Sequence, residues 1–196
     1  MPCMSAHMAI ATKLSKLLPV DKDDFIKGNI LPDLYDDKEK SHYKIKGKIY
    51  EIPNINIAVK SLNLTNSLDI GYLSHLLLDK YYFDEYLTKY DYDLFKNDAI
   101  YRDYDILNID IINHFNIDID YIKNVLSNYL KEFNNKKLVD NISYLDIKKE
   151  GNTKVLNKME FLDFLDKASI KIEKDIINII SKKNWCWCKN AWIKEY

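Results

Sequence analysis

The chain has 196 residues, a formal net charge of −1 and 47% hydrophobic residues, which suits one compact domain with a substantial core. Acidic and basic residues nearly cancel, which gives no strong nucleic-acid-binding signal and argues against a polybasic membrane anchor. No run of 18 apolar residues occurs, so a transmembrane segment is excluded.

With four glycines, four prolines and long apolar stretches spaced by three and four residues, the chain reads as all-α. A first helix is expected from about Ser5 to Leu18, with His7, Ile10, Leu14 and Leu17 on one stripe and Pro19 closing it. Lys13 and Lys16 follow this apolar stretch instead of preceding it, and His7 interrupts it, so it does not read as a secretory signal. Together with only three cysteines, Cys3, Cys186 and Cys188, this gives the expectation of a cytoplasmic location. A short helix over Asp23 to Lys27 is expected to stop at Gly28. Pro32 then biases Leu31 toward extended backbone, placing Asp33 in a loop.

Residues 36–48 are charged and loop-like and contain Ser41-His42-Tyr43. The strongest helix follows, capped by Asn66 or Ser67 and continuing through Leu68, Tyr72, His75, Leu78 and Phe83. Further helices are expected over about 103–115, 119–133 and 159–182, with 134–157 as a long connection or partial helix. The organisation is one helical domain, 1–196, with a candidate site half over about 1–85 and C-terminal helices over about 103–196.

The segment Gly71-Tyr72-Leu73-Ser74-His75-Leu76-Leu77-Leu78-Asp79 is apolar on nearly every face, as a central helix would be. At a spacing of four, His75 and Asp79 stack on one face, and Gly71, one turn earlier, allows another element to approach closely. A buried carboxylate needs a cation, a hydrogen-bond network or a raised pKa. Two readings therefore stand: His75 and Asp79 hydrogen-bond each other in the core, or they hold a divalent metal. His7, His42 and Asp33 add imidazole and carboxylate groups upstream, a set without thiolate that suits Zn²⁺, and also Fe²⁺ or Mn²⁺.

Taken in order, Met1-Pro2 with His7, Phe25, Gly28, Pro32-Asp33, Ser41-His42-Tyr43 and the His75-x-x-x-Asp79 helix resemble the zinc-dependent phospholipase C superfamily, particularly its small bacterial members, over the first half of the chain. The resemblance implies a multi-helix bundle of that type, related in fold to single-strand-specific zinc nucleases. It implies one ion held by Asp33, His42, His75 and Asp79, with Asp79 bridging to a second ion at His7 and Asp33 doubling as general base. The family's N-terminal tryptophan is absent, as are its later histidine and His-x-x-x-Glu pair; Asp84 and Glu85 stand near the former position, and His114 is the one later histidine. One or two ions are therefore expected. The implied activity is hydrolysis of a phosphate ester, a phosphodiester first, with a small phosphoester, phospholipid or nucleotide as substrate. A metal-stabilised scaffold or binding protein without turnover is the alternative.

Four further residues are weaker site candidates: His114, Glu85, Arg102 and Asp103. His114 shares a helix face with Ile111 and Phe115 and reads as a core histidine before it reads as a ligand. Arg102, the only arginine, could clamp a phosphate or pair on the surface with Asp98 or Asp105. Trp185-Cys186-Trp187-Cys188 is expected to be an apolar segment packing on the domain, its two thiols being a weak zinc signal.

Overall fold

Two helices that are apolar almost all round, α1 (Met4–Leu14) and α5 (Ser67–Tyr81), run through the centre, and every residue of α1 except Lys13 is buried. The structure, a computed structural model, describes residues 2–45, 52–90, 99–133 and 135–192, the side chains of 184–192 excepted. Around the central pair lie α2 (Lys22–Leu34), α3 (Lys38–Ser41), α4 (Ile55–Ser61), α6 (Ala99–His114), α7 (Ile119–Glu132), α8 (Lys136–Tyr144) and α9 (Lys158–Trp192). Among the described residues the only β-type pairing is an isolated Lys44–Pro53 bridge, and the fold is all-α and single-domain. One contiguous core runs from α1 to α9, so the N- and C-terminal halves are stabilised together. No helix among the described residues is long and apolar enough to cross a membrane.

Side-chain caps start most of these helices where the sequence offers them: Asp21 for α2, Asn66 for α5, Asp118 for α7 and Asn135 for α8 each accept a backbone N–H from the first turn. The end of α1 differs from the sequence expectation. Bonds from Lys16 to Lys13 and from Leu17 to Leu14 tighten the chain to a three-residue turn, which rotates Leu17 off the stripe and leaves it 54% exposed. Residues 136–144, expected to be connection or partial helix, form α8, and α4 is a helix that periodicity did not reveal.

The largest correction concerns α2. Gly28 does not stop it, and it runs through Pro32 to Leu34, so Asp33 lies in its last turn and not in a loop. Gly28 serves packing instead. A β-carbon there would stand 2.0 Å from the Leu68 carbonyl oxygen, and one on Gly71 would stand 2.3 Å from that of Phe25. Only two glycines permit this crossing of α2 and α5. The close approach expected at Gly71 is therefore observed, with Gly28 as its counterpart.

After Asp79 the helix widens into a π-turn, Tyr82–Tyr86, that buries Tyr82 and Tyr86 fully. The side chains of the Trp185–Cys188 motif lie outside the described residues, while its backbone continues α9.

Candidate metal centre

Four helices bring the site together. α1 supplies His7, the last turn of α2 supplies Asp33, His42 follows directly on α3, and α5 supplies His75 and Asp79 one turn apart. The glycine crossing sets α2 beside α5, so that the Asn29 carbonyl accepts the His75 Nδ1–H at 2.7 Å. A carbonyl can only accept, which fixes the proton on Nδ1 and turns Nε2 toward the carboxylates.

His42 Nε2 and His75 Nε2 lie 3.2 Å apart. Asp79 Oδ2 is 3.4 Å from the first and 3.6 Å from the second. Asp33 closes the group from the α2 side, Oδ1 at 3.6 Å from His42 Nε2 and Oδ2 at 4.0 Å from His75 Nε2. The other oxygen of Asp79, Oδ1, faces His7 Nε2 at 3.5 Å. Charge-assisted hydrogen bonds close to about 2.7–2.9 Å, so these imidazole–carboxylate spacings are too long for a private network. Donor atoms bound tetrahedrally at 2.0–2.1 Å to one zinc ion stand about 3.3–3.4 Å from each other. Both Asp79 oxygens and both His7 nitrogens are buried without a hydrogen-bond partner, and such orphaned groups require a reason.

All three histidines and Asp79 are at most 1% exposed, while the Asp33 side chain is 20% exposed and marks the side facing outward. Burial pushes the Asp79 carboxyl up, but His75 and His7 outweigh it and hold it well below the usual carboxylate range. Asp33 is likewise raised by burial and lowered on balance by His75, His7 and Lys38. Burial and the neighbouring His75 depress His7, and the same two causes bring His42 to about 4. Burial alone would depress His75 too, yet Asp79 and Asp33 raise it above the ordinary histidine value. Near neutral pH the two carboxylates are ionised, His7 and His42 keep free lone pairs, and His75 is where positive charge is favoured. Neutral imidazoles and ionised carboxylates are the forms that bind a divalent cation, so a cation bound here would displace the proton that His75 favours.

The five residues singled out as ligands are thus brought together, in two overlapping groups that could each hold a metal ion, Asp33, His42 and His75 in one and His7, His75 and Asp79 in the other. The weaker candidates are not in the centre. His114 is 40% exposed and donates from Nε2 to Asp166 Oδ2 at 2.7 Å, because its position faces α9 across the surface and not the core. Glu85 accepts from Lys171 at the surface, and Asp84 from Lys80 at 2.9 Å. Arg102 is exposed beside Gly151; Asp105, one of its expected partners, bonds Lys149 at 3.1 Å, and Asp98 lies outside the described residues. Asp103 is fully buried, but its carboxylate accepts the backbone N–H groups of Lys154, Val155 and Leu156, bracing the loop before α9.

Sequence reasoning missed the supporting groups. Lys38 donates to Asp33 Oδ1 at 2.8 Å and to the Asp33 carbonyl at 2.6 Å. Ser41 Oγ lies 2.9 Å from His42 Nδ1, and the Tyr72 hydroxyl donates to the Ser41 carbonyl. Asn29 acts through a main-chain carbonyl, which no residue type announces.

Lys38 also lines a cavity of about 500 Å³ whose wall includes Lys44, Phe83, Tyr101, Tyr104 and Tyr144. No family model, curated protein or solved structure matches the chain.

Proposed function

We propose that the protein is a metal-dependent hydrolase of phosphate esters, phosphodiesters first, that holds one or two zinc ions, with Fe²⁺ or Mn²⁺ as other candidates, and that it is related to the zinc-dependent phospholipase C superfamily. The observation carrying this reading is the Asp79 carboxylate, buried without a hydrogen bond among imidazole nitrogens at 3.4–3.6 Å. The ordered match of His7, Asp33, His42, His75 and Asp79 to that family's ligands supports it independently.

A divalent ion in such a site supplies polarisation of a phosphoryl oxygen and acidification of water near neutral pH. The chain's own residues do the rest. His42, His75 and Asp79, locked by packing, hold the ligand atoms in place. Asp33, the one partly exposed member, is ionised and can accept the proton of an attacking water. Lys38, shared between Asp33 and the cavity wall, places a positive charge where a phosphoryl oxygen would arrive. The aromatic cavity then receives the rest of a small organic phosphate, whether a simple phosphoester, a lipid headgroup or a nucleotide.

One observation favours a second reading. Four of the five ligand candidates are essentially unexposed, and closed sites are typical of structural metals in a scaffold or binding protein. Turnover of a generic aryl phosphodiester by purified protein separates the two. Activity that disappears with chelator and returns with Zn²⁺ supports the hydrolase; bound metal with no turnover of mono- or diesters leaves the scaffold.

A further inference from the structure

The three histidines of the centre are held unequally. The His75 Nδ1–H is fixed by the Asn29 carbonyl at 2.7 Å, so this ring can serve one ion only, through Nε2. His42 Nδ1 lies 2.9 Å from Ser41 Oγ. With a cation at Nε2, Nδ1 must carry the proton and the serine oxygen accepts it. Ser41 is itself buried, and its carbonyl is tied down by the Tyr72 hydroxyl of α5. His7 has no such support. Neither of its ring nitrogens has a hydrogen-bond partner, and its orientation comes from stacking on His75, with ring centroids 3.8 Å apart and planes 10° from parallel.

Asp79 divides the same way. Its Oδ2 faces the two supported rings at 3.4 and 3.6 Å, and its Oδ1 faces His7 at 3.5 Å. On one side Asp33, His42 and His75 converge, with Asp79 Oδ2 beside both imidazoles, each of which is held from behind. The other side offers His7 and one carboxylate oxygen; His75 stands close enough to serve either group but has only its Nε2 to give. Hydrogen bonds to the far nitrogen of a ligating imidazole commonly change metal affinity by about 10–100-fold.

We infer that the centre consists of two unequal subsites, in which Ser41 is a positioning residue that makes the Asp33/His42/His75/Asp79 subsite tight, while the His7/Asp79 subsite fills only at higher divalent-cation concentration. The inference rests on the metal-binding part of the proposed function and is independent of hydrolysis.

The test is a Zn²⁺ titration of the metal-free full chain in competition with a chromophoric chelator. The parent is expected to take up one equivalent tightly and a second at least about tenfold more weakly. His7→Ala is expected to lose the second step and keep the first. Ser41→Ala is expected to weaken the first step by about 10–100-fold, and Ser41→Thr, which retains the hydroxyl, to restore it. Helix content by circular dichroism shows whether Ser41→Ala folds; should it not, Tyr72→Phe, which frees the Ser41 carbonyl, is expected to weaken the same first step. Two equivalents held equally by the parent, or a first step unmoved in whichever of these two variants folds, would overturn the inference. A parent that binds no Zn²⁺ would instead overturn the metal reading itself.

Discussion

Gly28 and Gly71 face each other where α2 crosses α5, so closely that a β-carbon on Gly71 would stand 3.1 Å from the Gly28 Cα and 2.3 Å from the Phe25 carbonyl oxygen. Alanine in a helix interior normally gains about 0.5–1 kcal/mol over glycine. Here the new methyl meets backbone, which cannot swing aside as a side chain can, and overpacking of this kind costs typically about 1–3 kcal/mol or more. Gly71→Ala is therefore expected to lower stability on balance, and to weaken metal binding by moving the Asn29 carbonyl away from His75. Denaturant unfolding in chelator measures the first effect; a variant more stable than the parent would contradict the packing argument.

Asp79→Asn preserves volume and removes the charge that faces both sides of the centre. Elemental analysis of protein purified without added metal is expected to find about one to two ions per chain in the parent and a clear loss in Asp79→Asn and in His75→Ala. The thermal midpoint should carry the same signature. A ligand at 100 times its Kd stabilises by about 2.7 kcal/mol, so Zn²⁺ should raise the parent's midpoint and leave that of Asp79→Asn nearly unmoved. Equal metal content in all three proteins would end the case for this centre.

Asp103 offers a contrasting result, since its burial has a complete structural explanation in the N–H groups of Lys154, Val155 and Leu156. Asp103→Ala strands those donors, each orphaned group costing about 1–3 kcal/mol, and a loss of about 3–5 kcal/mol is expected after partial relaxation to water. Metal content at low temperature should stay at the parent level. A loss of metal from a folded Asp103→Ala would return the residue to the site.

Asp166 ties three helices, accepting from Lys13 of α1 at 2.9 Å and from His114 of α6 at 2.7 Å. Burial raises its carboxyl, but the His114 and Lys13 contacts outweigh this and lower it below its ordinary value of 3.8. A depressed folded pKa means stability fully present above the unfolded value and lost as pH falls through the folded one. With the side chain 40% exposed, screening keeps the contribution within about 0–1 kcal/mol. Asp166→Asn should melt slightly below the parent near pH 6, and the gap should close on acidification below about pH 4. A gap that widens in acid would reverse the assignment.

Much of this was legible from residue order because it is local. Helix α5, its Asn66 cap and the stacking of His75 on Asp79 depend on 3.6-residue periodicity and on contacts within a few positions. Residue order misleads where packing overrides a local preference. Pro32 and Gly28 both favour an end to α2, yet burial of Phe25, Ile30, Leu31 and Leu34 against the core holds the helix together to Leu34. His114 looked apolar by its neighbours, and only the course of α9 beside it reveals Asp166 as its partner.

The sequence by itself determined which groups were available: three imidazoles and two carboxylates without a thiolate, two of them fixed one helical turn apart. Tertiary structure alone decided that Asp33, His42 and His7 converge on that pair, because their relative positions depend on how helices separated by tens of residues cross. It also decided the support behind two of the ligands, His75 and His42. Asn29 contributes a main-chain oxygen and Ser41 a hydroxyl whose value lies in its 2.9 Å distance from His42, and a distance between packed elements is a property of the fold rather than of any residue type.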